Sequence, residues 1–349
     1  FKGCSNLVYV AIPSSVTNVG SCAFSGCTSL AEVVMPPSVT SIGTSAFSDC
    51  TGLAGIMTIP SGVTSIGASA FSGCSGLTGV TIPSGVVSIG SSAFEDCTGL
   101  AGDLSIPASV ASIGRGAFRG CGGLARVEIP ACVLRTGFRS VFDVSGITNV
   151  VMLGGVTRIG DSEFSGMRRL TGVTIPDGVA SIGASAFRDC IGLTEIVLPP
   201  GVAHVGEAAF KGCSGLAAVT IPDGVTEIGR ELFSGCTGLR EVVLPDGVTS
   251  IGYFAFEGCT GLTSMTLPNS VTYIGSSAFE GCTGLAGDLV VPDGVTSIGW
   301  NAFAGCTGLS YVKVPACVVD RGFANVFGSD LAARVEVSEG VQRLGDGAF

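Results

Sequence analysis

The sequence predicts a mainly β repeat solenoid: a stack of short coils joined by parallel strands. Three observations carry that reading. A glycine following a Val-x-x-Ile pair recurs at Gly20, Gly43, Gly67, Gly90 and onward to Gly345, most steps being 23 residues and three being 24. Within a unit such as 77–99 the apolar positions are Leu77, Val80, Ile82, Val86, Ile89, Phe94 and Cys97, a spacing that holds neither a helix nor a strand period for long. The same positions return in about fifteen copies, so each unit exposes an apolar face that only its neighbours can cover.

The elements follow in order along one unit. Val80 and Ile82 share a face at period two, and the residue between them is commonly β-branched, as at Thr81, Thr174, Val197 and Val243. That segment reads as a strand. Proline closes it, because it cannot donate the next ladder hydrogen bond. The recurring glycine then fits either a turn of positive φ or a place where adjacent coils crowd the backbone. Ala-Phe-x-Gly-Cys is too short for a stable α-helix and reads as a single helical turn, 3₁₀ or α.

The pattern Leu-x-x-Val-x-Ile-Pro-x-x-Val-x-x-Ile-Gly-x-x-Ala-Phe-x-x-Cys resembles the BspA-like, or treponemal-type, leucine-rich repeat, over essentially the whole chain. The resemblance implies a curved right-handed solenoid with parallel strands on its concave side. It also implies a microbial or protist surface or secreted protein used for adhesion and protein binding. It brings no shared catalytic residues. The expected organisation is a single solenoid over residues 1–349, with irregular coils near 130–152 and 315–337. Phe1 and Phe349 fall at one phase of the repeat and neither end carries a polar cap, so the sequence reads as a piece of a longer protein.

Composition narrows the functional classes. The mean hydropathy of +0.61 is high, yet no apolar run approaches the ~18–20 residues of a spanning helix. Small and apolar core residues and a charged fraction of only 13% account for it. A net charge of −10 with dispersed Lys and Arg argues against nucleic acid as a partner.

Twelve of the fifteen cysteines occupy one repeat slot: Cys4, Cys27, Cys50, Cys74, Cys97, Cys121, Cys190, Cys213, Cys236, Cys259, Cys282 and Cys306. Stacked coils place them about 4.8 Å apart with parallel Cβ vectors, which favours a buried reduced ladder over disulfides or a metal site. Met167 fills the slot in another coil, as an apolar packing role allows.

Two coils depart from the pattern together. One runs from Pro130-Ala131-Cys132-Val133 to Val141-Phe142, the other from Pro315-Ala316-Cys317-Val318 to Val326-Phe327, 185 residues apart. Either they repack phenylalanine locally, or they build a hinge, bend or partner-binding notch around Cys132 and Cys317.

Catalytic constellations are not legible, so no enzyme activity and no cofactor is expected. The single histidine, His204, lacks a companion at metal-ligand spacing and reads as an exposed coil residue. Asp177, Asp223, Asp246 and Asp293 sit in Pro-Asp-Gly turns, where Asp bonds its own backbone. Asp223 and Asp246, on adjacent coils, are the one pair placed to share a divalent cation. Outward strand positions supply the candidate anchors for a protein partner: Tyr311 with Lys313, Arg126 with Glu128, and Arg240 with Glu241. The competing reading is a structural spacer or lateral-assembly element with no specific concave-face ligand.

Overall fold

A computed structural model describes residues 1–339 and 341. Gly345 and Phe349 lie outside the described residues. The chain divides into two compact units, Phe1–Val156 and Thr157–Phe349, each a stack of coils joined by parallel strands.

Most coils contribute to two ribbons. In the first unit one ribbon runs through Tyr9–Ala11, Glu32–Val34, Gly55–Thr58, Leu77–Thr81, Ala101–Ser105, Gly123–Ile129 and Asn149–Met152. Register advances by one repeat per step, as in Tyr9 against Glu32 and Met57 against Val80. The second ribbon is made of two-residue strands on the Ser-Ile pair before each repeating glycine, Asn18–Val19, Ser41–Ile42, Ser65–Ile66, Ser88–Ile89 and Ser112–Ile113. In the second unit the corresponding short strands begin at Arg158, Ser181, His204, Glu227, Ser250, Tyr273 and Ser297. Strands this short carry no readable period, which is why the sequence shows one ribbon and the fold has two.

Proline ends the longer strand as expected, and its carbonyl then accepts the amide three residues on, as in Val63 to Pro60 at 3.0 Å. The repeating glycine resolves in favour of crowding. At Gly275 a Cβ would stand 2.6 Å from the Tyr253 amide nitrogen, with no left-handed φ involved. At Gly229, in the same column, the nearest atom would be 3.6 Å away. Gly275→Ala is therefore expected to cost about 1–3 kcal/mol in urea unfolding, and Gly229→Ala close to nothing. Equal effects would mean that close approach does not explain this glycine.

The Ala-Phe turn is not a helix. Ser45 and Asp49 are left-handed, at φ +52° and +58°, and the same two positions are left-handed in most coils. The cause is a third ladder. The amides of Ser45, Phe47 and Asp49 donate to Ala68, Ala70 and Ser72 of the next coil at 2.7–2.8 Å. The alternate amides of Ala46, Ser48 and Cys50 bond three residues back within the turn at 3.2 Å. Every amide from Ser45 to Cys50 is thus satisfied, and the left-handed conformations, costing about 1–2 kcal/mol per residue, are held by bonds worth about 0.5–1.5 kcal/mol each.

Behind this ladder lies the core. In the first unit the rings of Phe1, Phe24, Phe47, Phe71, Phe94, Phe118 and Phe142 stack in sequence, with centroids 5.1–5.4 Å apart. In the second, Phe187, Phe210 and Phe233 continue the same arrangement at 5.4 and 5.6 Å. The cysteine slot is buried from Cys27 to Cys306, whereas Cys4 is exposed. These sulfurs remain thiols, and each donates to the phenylalanine carbonyl of the preceding coil, as in Cys50 to Phe24 and Cys236 to Phe210 at 3.1 and 3.0 Å. Packing alone did not reveal that role.

The residue before each of these cysteines is Gly or Asp. Where it is Asp, its carboxylate leans over the next coil: a Cβ on Gly73 would meet Asp49 Oδ1 at 2.6 Å, and one on Gly212 would meet Asp189 Oδ1 at 2.4 Å.

In the irregular coils a first helix, α1 (Ala131–Thr136) or α3 (Ala316–Arg321), takes the place of the short strand before the glycine, and a second, α2 (Phe138–Val141) or α4 (Phe323–Phe327), replaces the Ala-Phe turn after it. Here alone among the described repeating glycines, Gly137 and Gly322 have positive φ, at +94° and +90°. Phe142 and Phe327 keep their places in the ring stacks, and Phe138 and Phe323 pack against them at 5.0 and 4.6 Å. Both coils thus repack phenylalanine locally. Cys132 is buried, and Cys317 bonds the Val295 carbonyl at 3.1 Å.

Candidate functional site

Backbone pairing fixes what either ribbon can offer. Interior strands are bonded on both sides, so their recognition chemistry rests in outward side chains.

On the longer ribbon, Arg126 and Glu128 point outward from Gly123–Ile129 and pair with each other at 2.7 Å. Ser105, on the neighbouring strand, donates to Glu128 at 2.9 Å. Those hydrogen bonds, Ser105's foremost and then Arg126's, hold the Glu128 carboxyl below its ordinary pKa. In the second unit Tyr311 and Lys313 face outward from Gly308–Val314. Tyr311 donates to Glu336 on the adjacent strand at 2.8 Å, Lys313 approaches the same carboxylate at 3.9 Å, and the Arg334 guanidinium lies 6.0 Å from the Tyr311 ring centre. The Glu336 carboxylate pushes the Tyr311 hydroxyl pKa up. Both pairs are thus pre-oriented by neighbours. Glu241 lies on the strand Glu241–Val243 and Arg240 just before it, both exposed. The fold thus pairs Arg126 with Glu128 and sets Tyr311 and Lys313 on one carboxylate, whereas Arg240 and Glu241 adjoin only in sequence.

Asp223 and Asp246 lie in exposed turns. Among the described residues no group of three or more His, Cys, Asp or Glu side chains is placed to hold a metal ion.

The shorter ribbon of the second unit carries a surface that motif reading passed over. A groove of about 650 Å³ runs along it, lined by Arg158, His204, Glu227, Arg230, Tyr253 and Tyr273 among others. His204 is exposed and sits on a strand, in register with Ser181. Tyr253 and Tyr273 meet edge to face at 6.2 Å, and burial with the adjacent Tyr253 side chain pushes the Tyr273 pKa up to about 12. One coil further, Trp300 is 54% exposed with the Arg321 guanidinium 5.7 Å from its ring centre. A second hollow of about 430 Å³ lies there, with Cys317, Asp320 and Arg321 on its wall.

The signal for this surface was the repeat itself. In the regular coils of the first unit the position two before the glycine reads Asn18, Ser41, Ser65, Ser88 and Ser112. In the second it reads Arg158, Ser181, His204, Glu227, Ser250, Tyr273 and Ser297. The only histidine, the only tryptophan and two of the four tyrosines of the chain lie on this face.

A profile of the BspA type leucine rich repeat region matches in six copies, over residues 1–124, 101–217, 157–286, 203–327 and 285–349. A leucine-rich repeat protein from Bacteroides ovatus is 32% identical, with 96% of this chain and 85% of that chain covered and a TM-score of 0.66. A leucine rich cell surface protein from Faecalibacterium prausnitzii is 25% identical over 95% of this chain and 79% of that one, at a TM-score of 0.31. The pneumococcal vaccine antigen PcpA is 17% identical over 98% and 71%, also at 0.31. No curated protein sequence matches the chain.

Proposed function

The chain belongs to the BspA-type leucine-rich repeat family, and from that premise we propose that it is a non-enzymatic protein-binding solenoid, exposed at a microbial or protist surface or secreted, that holds a host, neighbouring-cell or matrix protein. Leucine-rich repeats in general form protein-interaction surfaces. The observation that carries the reading here is the outward face of the longer ribbon. Its backbone is consumed in strand pairing, while Arg126, Glu128, Tyr311 and Lys313 are held in defined orientations at the strands preceding the helix pairs. An interface built this way gains affinity from side chains that lose little freedom on binding. Among the described residues no helix is long and apolar enough to cross a membrane.

The test is retention of a partner from surface or matrix extracts, followed by titration of variants. Tyr311→Ala and Arg126→Ala are each expected to weaken binding by ~1–3 kcal/mol with little change in thermal stability, since both side chains are partly exposed. Equal binding by wild type and both variants would remove the longer ribbon from the interface. Failure to retain any partner would favour the spacer reading.

A further inference from the structure

The shorter ribbon of the second unit presents two aromatic corners, and their spacing names a ligand. One corner is Tyr253 against Tyr273, the other Trp300 backed by Arg321. Tyr253 and Trp300 occupy the same position, the residue after the repeating glycine, in coils whose strands Ser250–Ile251 and Ser297–Ile298 flank Tyr273–Ile274. Two inter-strand steps separate them by about 9.6 Å along the stack. The residue between them in that column is Ser276, which leaves the space open. One turn of polyproline II helix advances about 9.3 Å over three residues.

We propose that this face binds a proline-rich segment of a partner protein as a polyproline II helix lying along the stack, with successive turns seated in the two aromatic corners. This rests on the protein-binding reading above and assigns it a second surface and a partner class.

Three features support that occupant. No strand edge is free in this part of the ribbon, since Tyr273 is paired with Ser250 on one side and Ser297 on the other. A peptide cannot dock there by strand addition and must be held by side chains. A polyproline II segment suits such a site, because it makes no internal hydrogen bonds and enters already extended, so its carbonyls can accept from the Trp300 indole N–H and the tyrosine hydroxyls. Proline rings pack on aromatic faces, and Tyr253 and Trp300 are 48% and 54% exposed. Lastly, Glu227 lines the groove with the tyrosines and Asp320 lines the hollow with Trp300. Among the described residues neither makes a salt bridge. Acidic groups at both ends favour a segment flanked by Lys or Arg.

Because Trp300 is the only tryptophan, its emission reports this face directly. The full chain is titrated with a short synthetic peptide carrying proline at two positions of every three-residue turn and one terminal arginine. A control peptide has alanine in place of each proline. The expected result is a saturable change in emission with the proline peptide alone, weakened by added salt. Tyr253→Ala should lower affinity by about tenfold or more, and Glu227→Gln should reduce the salt dependence. Tyr311→Ala, on the other ribbon, should bind the peptide as wild type does. Far-UV circular dichroism of Tyr253→Ala should match wild type, the side chain being half exposed. Absence of saturation, an equal response to the alanine peptide, or a response only to a neutral linear oligosaccharide would overturn the assignment. If partner retention still depends on Tyr311 and Arg126 while the peptide fails, this assignment alone falls. If the peptide binds and the first-ribbon variants retain the extract partner unchanged, the longer ribbon is the error.

Discussion

Raising the pH from 9 toward 12 is expected to unfold the protein cooperatively, with the thiolate absorbance of the buried cysteine ladder appearing only as the fold is lost. Burial pushes the Cys259 and Cys306 thiols from an ordinary value of 9.0 up to about 12, outweighing the backbone hydrogen bonds that act the other way. The same desolvation raises Cys50 and Cys121 to about 12, and Cys74, Cys97, Cys213, Cys236 and Cys282 also move upward. A thiol with a raised folded-state value keeps its proton when the unfolded chain would release it. Its contribution is complete below pH 9 and is lost as pH climbs through that value toward the folded one. Each such thiol imposes a slope of about −1.4 kcal/mol per pH unit in that window, so Cys259 and Cys306 together give about −3. Against a total stability of order 5–15 kcal/mol, that decides the outcome. Thiolate signal from most of the fifteen cysteines rising near pH 9 with ellipticity intact would show that the ladder is wet. For the same reason these thiols should resist alkylating reagents at neutral pH until denaturant is added.

Truncation of one ring in the phenylalanine stack is the second large effect. Phe210 is fully buried between Phe187 and Phe233. Phe210→Ala is expected to cost about 3–5 kcal/mol in urea unfolding, part of it from the two ring contacts at about 0.5–1.5 kcal/mol each. Each coil leans only on its neighbours, so the loss should concentrate in the second unit. A cost under about 1 kcal/mol would contradict the buried stack.

Both of those cores were legible in the sequence, and for one reason. Phenylalanine and cysteine recur at fixed phase, and only a stacked architecture gives identical residues identical neighbours. What stayed hidden is what the stack imposes on the backbone. Ser45, Ala208, Glu231 and Phe254 adopt the left-handed conformation although none of those residue types asks for it. The demand comes from carbonyls in the adjoining coil that accept their amides, and a single repeat read alone does not contain it. Of the candidate surfaces, the outward positions of the longer ribbon followed from strand alternation. The aromatic groove did not, because His204, Tyr273 and Trp300 match no motif. His204 and Tyr273 stand out only against the serine that the same position holds in other coils, and Trp300 only against small residues such as Ala68, Ser91 and Ser276 after the glycine.

The carboxylates that lean over a neighbouring glycine turn the order of the coils into a grammar. Asp49 precedes Gly73, Asp96 precedes Gly120, and Asp189 precedes Gly212, each Asp occupying the space where the next residue's Cβ would be. Repeats this alike invite loss or gain of whole copies by unequal recombination, which would seem free to delete any unit. It is not free here. Excising the copy that carries Gly73 would set Asp96 directly after Asp49, stacking two carboxylates about one strand spacing apart in a slot that has room for one. Excising the copy that carries Gly235 would join Gly212 to Gly258 and leave every adjacency permitted. The length of this array can therefore drift at some junctions and is locked at others.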